Sequence, residues 1–255
     1  MENKYKITMT TLGGYVSFAL VANGAISINW GDGSEVKTYN LIYDKYDEIP
    51  RFSHEYPEGS EYTITIICEN TCTAHEVRGI TYLGSSQNKL TALDVSKCIS
   101  LENLNCNDNR LTALDVSKNT ALKELECGIN ELMALDVSQN TALEKLGCYH
   151  NEFAVLDVSK NAALKGLDCG SYPLKSLIIS KNHAFDWLCC GTYYVEHLDA
   201  SKHSPQKTLD CGNIELVLTE LNKGIPWSKY SYCIPKKKKM KTKTDKRKKV
   251  KIKSE

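Results

Sequence analysis

The sequence predicts a mainly β protein: a solenoid of stacked coils, preceded by a small β unit and followed by a disordered basic tail. Three observations support this prediction: a 21-residue repeat in the middle, alternating polar and apolar residues before it, and a Lys-rich terminus. The 255 residues are enough for a real hydrophobic core. No apolar run reaches the ~18 residues of a transmembrane helix, and the composition excludes collagen-like or wholly disordered chains.

The repeat is defined by residue types that recur with one spacing. Six equally spaced cysteines mark it, namely Cys106, Cys127, Cys148, Cys169, Cys190 and Cys211. A leucine stands two positions before each of them, and a second leucine row runs from Leu93 to Leu198 with the same spacing. We therefore expect a short strand in each half of a coil, with coils stacked about 4.8 Å apart and identical residues forming inward-facing ladders.

Two rows of asparagines share this spacing. One row comprises Asn88, Asn109, Asn130 and Asn151, and the other comprises Asn119, Asn140, Asn161 and Asn182. A buried Asn satisfies backbone groups where a coil bends, and each such group left unsatisfied costs ~1–3 kcal/mol. Cys98 heads the second row, where we expect its thiol to be a weaker substitute.

The unit L-x-x-L-x-C-x-x-N-x-L at Leu101–Leu111 resembles the leucine-rich repeat, and its tandem halves resemble the nested 21-residue class of bacterial proteins. The resemblance extends from Ile80 to about Asn222. It implies a secreted or cell-surface adhesion protein that recognises proteins or glycans without catalysis. The start of the chain has no signal-peptide core. Buried reduced thiols are more typical of a reducing compartment, but the resemblance favours a secreted or cell-surface location.

The sequence predicts a separate β unit in 1–78, with the repeats and a C-terminal cap in 79–234 and the tail in 235–255. The stretches Ile26–Ser34 and His54–Ile66 resemble the W-G-D-G turn and the following strand of polycystic-kidney-disease-type domains. This resemblance implies an immunoglobulin-like β-sandwich. We expect the sandwich to cover the open edge of the first coil, which would otherwise invite aggregation.

The charge of the chain is unevenly distributed. Twelve Lys or Arg and two acidic residues give the last twenty residues a charge of +10, so the total of +1 leaves −9 for residues 1–235. Such a tail is expected to be disordered without a partner. Weak contact of Lys236–Lys253 with an anionic polymer or membrane is therefore the alternative function, with the solenoid as a spacer.

The cysteines predict packing groups rather than a metal site. No C-x-x-C motif is present, and parallel strands place neighbouring thiols side by side rather than facing each other. Cys68, Cys72 and His75 form the one local cluster, for which a disulfide, a zinc site and plain thiols all stay open, and Cys233 could pair or stay reduced. The outward Asp row from Asp94 to Asp199 predicts local hydrogen bonds, because the Gly-rich calcium repeat is absent.

The sequence contains no catalytic motif and no cofactor motif, so we expect a binding module and not an enzyme. Recognition is expected where side chains vary between otherwise constant coils, and Tyr is a good interface anchor. The alternative for Tyr172 and Tyr193 is that they only fill Asn positions. The candidate ligand-binding residues are Asn105, Glu126, Tyr149, His150, Asp168, Tyr172, Tyr193 and Tyr194.

Overall fold

The computed structural model describes residues 4–41, 48–69, 79–170, 174–179, 182, 186–190, 197–199 and 208–210. These residues form 17 strands, which confirms the prediction of a mainly β protein. Within the same ranges, no helix is long and apolar enough to cross a membrane. The predicted C-terminal cap and the Lys-rich tail, together with Cys72, His75 and Cys233, lie outside them.

Six strands precede the coils, and their burial alternates because successive side chains of a strand point to opposite faces. In the first of them Tyr5, Ile7 and Met9 are buried. Gly13 and Gly14 have φ of 83° and 81°, a backbone conformation that suits glycine, and they turn the chain into the second strand. The six are β1 (Lys4–Thr11), β2 (Gly14–Ala22), β3 (Gly24–Asn29), β4 (Lys37–Leu41), β5 (Arg51–Tyr56) and β6 (Tyr62–Glu69).

The coils follow as parallel strands, each paired with the strands one repeat before and after it. Leu125 pairs with Leu104 on one side and with Leu146 on the other. The strands that lead to the cysteine ladder are β7 (Ile80–Gly84), β9 (Asn103–Asn105), β10 (Glu124–Glu126), β11 (Lys145–Gly147), β13 (Gly166–Asp168), β15 (Trp187–Cys189) and β17 (Thr208–Asp210). The second half-coils supply β8 (Leu90–Asp94), β12 (Val155–Asp157), β14 (Ser176–Ile178) and β16 (His197–Asp199).

The N-terminal strands and the coils share their sheets. The nine-stranded sheet has the order β17-β15-β13-β11-β10-β9-β7-β2-β5, and the five-stranded sheet has the order β4-β3-β6-β1-β8. Because β2 pairs with β7 and β1 pairs with β8, antiparallel strands cover the edge of the first coil on both sides. The described apolar residues form one continuous core. The division at residue 78 and the immunoglobulin-like class stay predictions.

One expectation about the strands is wrong for part of the chain. The repeat predicts a strand in every half-coil, but residues 113–115 and 134–136 have no strand in the structure. Around these residues the Met133 N–H lies 3.5 Å from the Thr112 carbonyl oxygen, at the weak limit of a hydrogen bond. In the described part, the three-stranded sheet β12-β14-β16 forms only in later coils.

The inward ladders are confirmed by burial. Leu104, Leu125, Cys106 and Cys127 are almost fully buried, as are their equivalents through Cys190. Each coil adds only a few such side chains, so the core exists only because the coils are stacked.

The first asparagine ladder uses both ends of its amide. Asn130 Oδ1 accepts a hydrogen bond from the Leu111 N–H at 3.0 Å, and its Nδ2 donates to the carbonyls of Cys106 and Cys127. Asn109 and Asn151 repeat this pattern one coil away on either side. As predicted, these amides satisfy backbone groups where the coil bends.

The second ladder uses only the donor end. Asn140 Nδ2 donates to the carbonyls of Val116 and Asn119, at 3.0 and 2.9 Å. The Oδ1 atoms of Asn119, Asn140 and Asn161 are buried and accept no hydrogen bond from the described residues. The Cys98 thiol, at the head of this row, donates instead to the Lys6 carbonyl of β1 at 3.5 Å.

Candidate functional site

The exposed side of the nine-stranded sheet gathers the variable side chains. We define the outer face as the first and third positions of β9, β10, β11, β13 and β15, together with those of the two residues after each ladder cysteine that the structure describes. The middle residue of each strand is a buried leucine, so its two neighbours point to the other side of the sheet. Asn105, Glu126 and Asp168 all lie half-buried on this face.

Glu126 and Asp168 stand two coils apart, with Gly147 between them. The carboxylate of Glu126 lies directly over Gly147 and occupies the space that a β-carbon there would need. Asn107 Nδ2 donates to Glu126 Oε2 at 3.4 Å. Burial raises the pKa of Glu126, and the negative charge of Asp168 raises it further. The two carboxylates therefore affect each other electrostatically.

Two aromatic rings lie across neighbouring glycines of the outer face. The Tyr149 ring covers Gly128, and the Trp187 ring covers Gly166. Burial raises the pKa of Tyr149, and the negative charge of Glu126 raises it further. The exposed fraction of Trp187 is 39%, so much of the indole is accessible. A β-carbon at Gly128 or Gly166 would displace the ring that covers it.

The other charged rows of this side are neutralised between coils. Glu102 pairs with Lys123 at 2.7 Å, and Glu124 pairs with Lys145 at the same distance. Glu144 pairs with Lys165 in the next coil. By contrast, neither Glu126 nor Asp168 forms an ion pair with any residue that the structure describes.

The structure places the remaining predicted residues at different distances from this centre. Asn105 Oδ1 accepts a hydrogen bond from the Asn107 N–H at 3.1 Å, so its amide mainly shapes the local turn. His150 is exposed with φ of 50°, and its ring packs edge-on against Tyr149 at 5.7 Å. Three predicted residues lie outside the described ranges: Tyr172, Tyr193 and Tyr194.

Sequence reasoning missed Trp187. It followed only the third strand position and the residues after the cysteine, whereas Trp187 occupies the first strand position. The signal was present, because Tyr82, Asn103, Glu124, Lys145, Gly166 and Trp187 share that position. A tryptophan on the outward side of a short strand is the kind of exposed anchor that interfaces use.

The cysteine ladder has no reactive chemistry on the outer face. Burial raises the pKa of Cys106 to about 12 and the pKa of Cys127 well above its usual range. Cys68, Cys98, Cys106, Cys127 and Cys169 form no disulfide with any residue that the structure describes. Within the described ranges no three His, Cys, Asp or Glu side chains converge as a metal site would require. Cys106, Cys127, Cys148, Cys169 and Cys190 are buried among the leucines, so they pack as small apolar groups in the core.

The outward Asp row makes turns, as predicted. Asp94, Asp115 and Asp136 each accept a hydrogen bond from the backbone N–H of the serine two positions later, at 2.8–2.9 Å. Asp32 accepts the equivalent bond from Ser34 and contacts His54 Nε2 at 2.7 Å. Hydrogen bonds from these serines lower the pKa of the Asp carboxyls. These Asp side chains therefore stabilise turns of the fold.

Comparisons with known proteins gave structural matches only. No protein-family model matches the chain, and no curated protein sequence does so. The functional domain of InlJ from Listeria monocytogenes, which includes a cysteine ladder, is 28% identical over 51% of this chain and 39% of that one, with a TM-score of 0.38. The Leptospira interrogans LRR protein LIC12759 is 18% identical over 45% and 34%, with a TM-score of 0.34.

The chain thus spans about two-fifths of the first of these structures and one-third of the second. Both TM-scores are below 0.5, so the architecture is established here by the chain's own strand registers. Those registers show one coil for each repeat, with a leucine and a cysteine ladder inside, which is a leucine-rich repeat solenoid.

Proposed function

We propose that this chain is a non-catalytic recognition protein that binds another protein through the outer face. The observation that carries the proposal is the pair of accessible rings, Tyr149 and Trp187, beside two carboxylates that have no ion-pair partner among the described residues. Aromatic side chains at the centre of a patch are the usual anchors of an interface. A row of small residues beneath the rings keeps the surface flat enough for a partner to approach.

The opposite side of the coils is less suited to specific binding. Its outward row is occupied by Asp side chains that already serve as turn formers. Met133 and Val155 are its large exposed apolar residues, at 76% and 55% exposure, and no aromatic ring accompanies them in the described part. They supply a matched control, because they present an apolar surface of the same solenoid in another direction.

The alternative function lies outside the described residues. Binding of an anionic polymer or membrane through Lys236–Lys253 depends on the tail alone, and it stays a prediction from charge. Recognition of a glycan and export to the cell surface also stay predictions. The contacts of the described residues support binding through the outer face.

The test is a capture experiment with three full-length proteins: wild type, the double variant Tyr149→Ala/Trp187→Ala, and the control Met133→Ala/Val155→Ala. Each would be immobilised and exposed to a mixed protein extract at about 0.15 M salt, where long-range charge attraction is screened. Bound proteins would be compared by quantitative mass spectrometry. We expect wild type and control to retain the same partner, and the ring variant to lose at least nine-tenths of it.

The proposal would be overturned by a partner that the ring variant keeps and the control variant loses, since that result places binding on the opposite side. It would equally be overturned by a partner that both variants keep. Circular dichroism and the thermal midpoint of each variant show whether the fold is intact. All four side chains are partly exposed, so their truncation is expected to leave the core unchanged.

A further inference from the structure

We infer that the partner segment bound by the outer face is cationic, with arginine or lysine side chains placed between Glu126 and Asp168. The inference rests on the proposed function and specifies the chemistry of the ligand. Its basis is the contrast between neutralised and unneutralised charges on one sheet. Lysines of the protein itself neutralise Glu102, Glu124 and Glu144. A cation of the partner over Gly147 would neutralise Glu126 and Asp168 in the same way.

The charge contrast is specific to one row of the face. The residues just before each strand alternate between negative and positive charge along the coils. Glu102 and Lys123, from adjacent coils, form one of the resulting ion pairs. At the third strand position the sequence of residues is Asn105, Glu126, Gly147 and Asp168, which contains acids and no base. Lys145 forms its ion pair with Glu124; its positive charge also lowers the pKa of Glu126, but the lysine forms no ion pair with that carboxylate.

The positions of the two carboxylates suit an elongated ligand. Strands lie about 4.8 Å apart, so residues two coils apart are separated by roughly 9.6 Å. A peptide in the polyproline II conformation has three residues per turn and advances about 3.1 Å per residue, so side chains three positions apart lie on one face and are separated by roughly 9 Å. A segment that crosses the strands with a cation at every third residue would therefore match the spacing of Glu126 and Asp168.

The aromatic rings strengthen the preference for a cation. Gly166 and Asp168 belong to the same strand, so the Trp187 ring over Gly166 lies about 7 Å from the backbone of Asp168. Tyr149 lies over Gly128, two positions beyond Glu126. Guanidinium groups stack on such rings while pairing with carboxylates, which gives arginine a further advantage over lysine.

The probe is a fluorescein-labelled peptide in which Arg-Gly-Ser is repeated four times, compared with the same peptide carrying citrulline instead of arginine. Citrulline keeps the shape of arginine and removes its charge. Fluorescence polarisation with the full-length protein at about 0.15 M salt measures both affinities. We expect the arginine peptide to bind at least tenfold more tightly than its citrulline counterpart.

Three variants show where the peptide binds. Glu126→Gln/Asp168→Asn removes two charges from the outer face, and the matched control Glu131→Gln/Glu152→Gln removes two charges from exposed side chains elsewhere. Gly147→Ala keeps every charge but displaces the Glu126 carboxylate. We expect the first variant to weaken binding at least tenfold, Gly147→Ala to weaken it severalfold, and the control to change it less than twofold.

Equal binding of the arginine and citrulline peptides would overturn the inference, as would equal losses in the first variant and the control, which indicate attraction by net charge alone. These results are separable from failure of the proposed function. If the cationic probe fails while the captured partner still depends on Tyr149 and Trp187, the binding face stands and its ligand class is wrong. If the capture fails too, the proposed function is wrong as well.

Discussion

Replacing an asparagine by alanine should lower the free energy of unfolding by different amounts in the two asparagine ladders. In Asn130→Ala the donor bonds of Nδ2 to the carbonyls of Cys106 and Cys127 disappear, a loss of roughly 1–3 kcal/mol for two hydrogen bonds. The variant also removes the oxygen that accepts the N–H of Leu111, a fully buried residue. A buried N–H left without a partner adds about 1–3 kcal/mol.

Asn140→Ala loses only the first contribution. Its Nδ2 bonds go to the carbonyls of Val116 and Asn119, and each carbonyl keeps a backbone donor: the Asn119 N–H at 2.9 Å and the Leu122 N–H at 3.0 Å. Its Oδ1 accepts nothing from the described residues, so no donor is orphaned. We therefore expect Asn130→Ala to destabilise the fold by about 1–3 kcal/mol more than Asn140→Ala.

Urea unfolding of the two full-length variants, followed by circular dichroism, measures the difference between their free energies of unfolding. Both residues are buried and lie in adjacent half-coils, so the cavities are comparable. Equal free energies, or a larger loss for Asn140→Ala, would refute the reasoning. Such a result would mean that the acceptor end of the first ladder contributes nothing to stability.

Three further predictions concern backbone strain, thiol reactivity and pH. Ile129→Asn should raise the free energy of unfolding in urea by about 1 kcal/mol, because a β-branched residue at φ of 52° is strained; an unchanged value contradicts this. In the native protein, a thiol reagent such as Ellman's reagent should modify half-buried Cys189 at least tenfold faster than Cys127, because Cys127 is buried and burial raises its pKa. Equal rates of modification would contradict this. Because the folded-state pKa of Asp32 is lowered, its stabilisation is present above pH ~4 and lost as pH falls below it. Thermal midpoints should therefore fall less steeply below pH ~4 in Asp32→Asn than in wild type, and parallel curves would exclude the Asp32 carboxylate, with its hydrogen bonds from Ser34 and His54, as a cause.

Much of the fold could be predicted because a repeat converts sequence spacing into spatial register. A leucine or cysteine that recurs once in every repeat has one place in a stacked coil, and burial of Leu125 and Cys127 follows from that period. The turn role of Asp115 was also predictable, since its serine partner is two positions away in the chain. These features depend on local or strictly periodic contacts.

The features that could not be predicted depend on contacts without a period. The pairing of β1 with β8 joins residues about 80 positions apart, and no local pattern announces it. The outer face depends on how a side chain leans across the neighbouring coil, as Glu126 does over Gly147. Sequence spacing gives the position of each side chain but not the space left by its neighbour, so the importance of Gly147 emerged only from the structure.

The most direct test of the central claim is hydroxyl-radical footprinting of the full-length protein with and without its captured partner. Tyr, Trp and Met side chains all react with the radical, so one experiment reads both sides of the solenoid. We predict that Tyr149 and Trp187 lose most of their reactivity in the complex while exposed Met133 keeps its own. Protection of Met133 with unchanged reactivity of Tyr149 and Trp187 would contradict the assignment of the outer face as the binding surface.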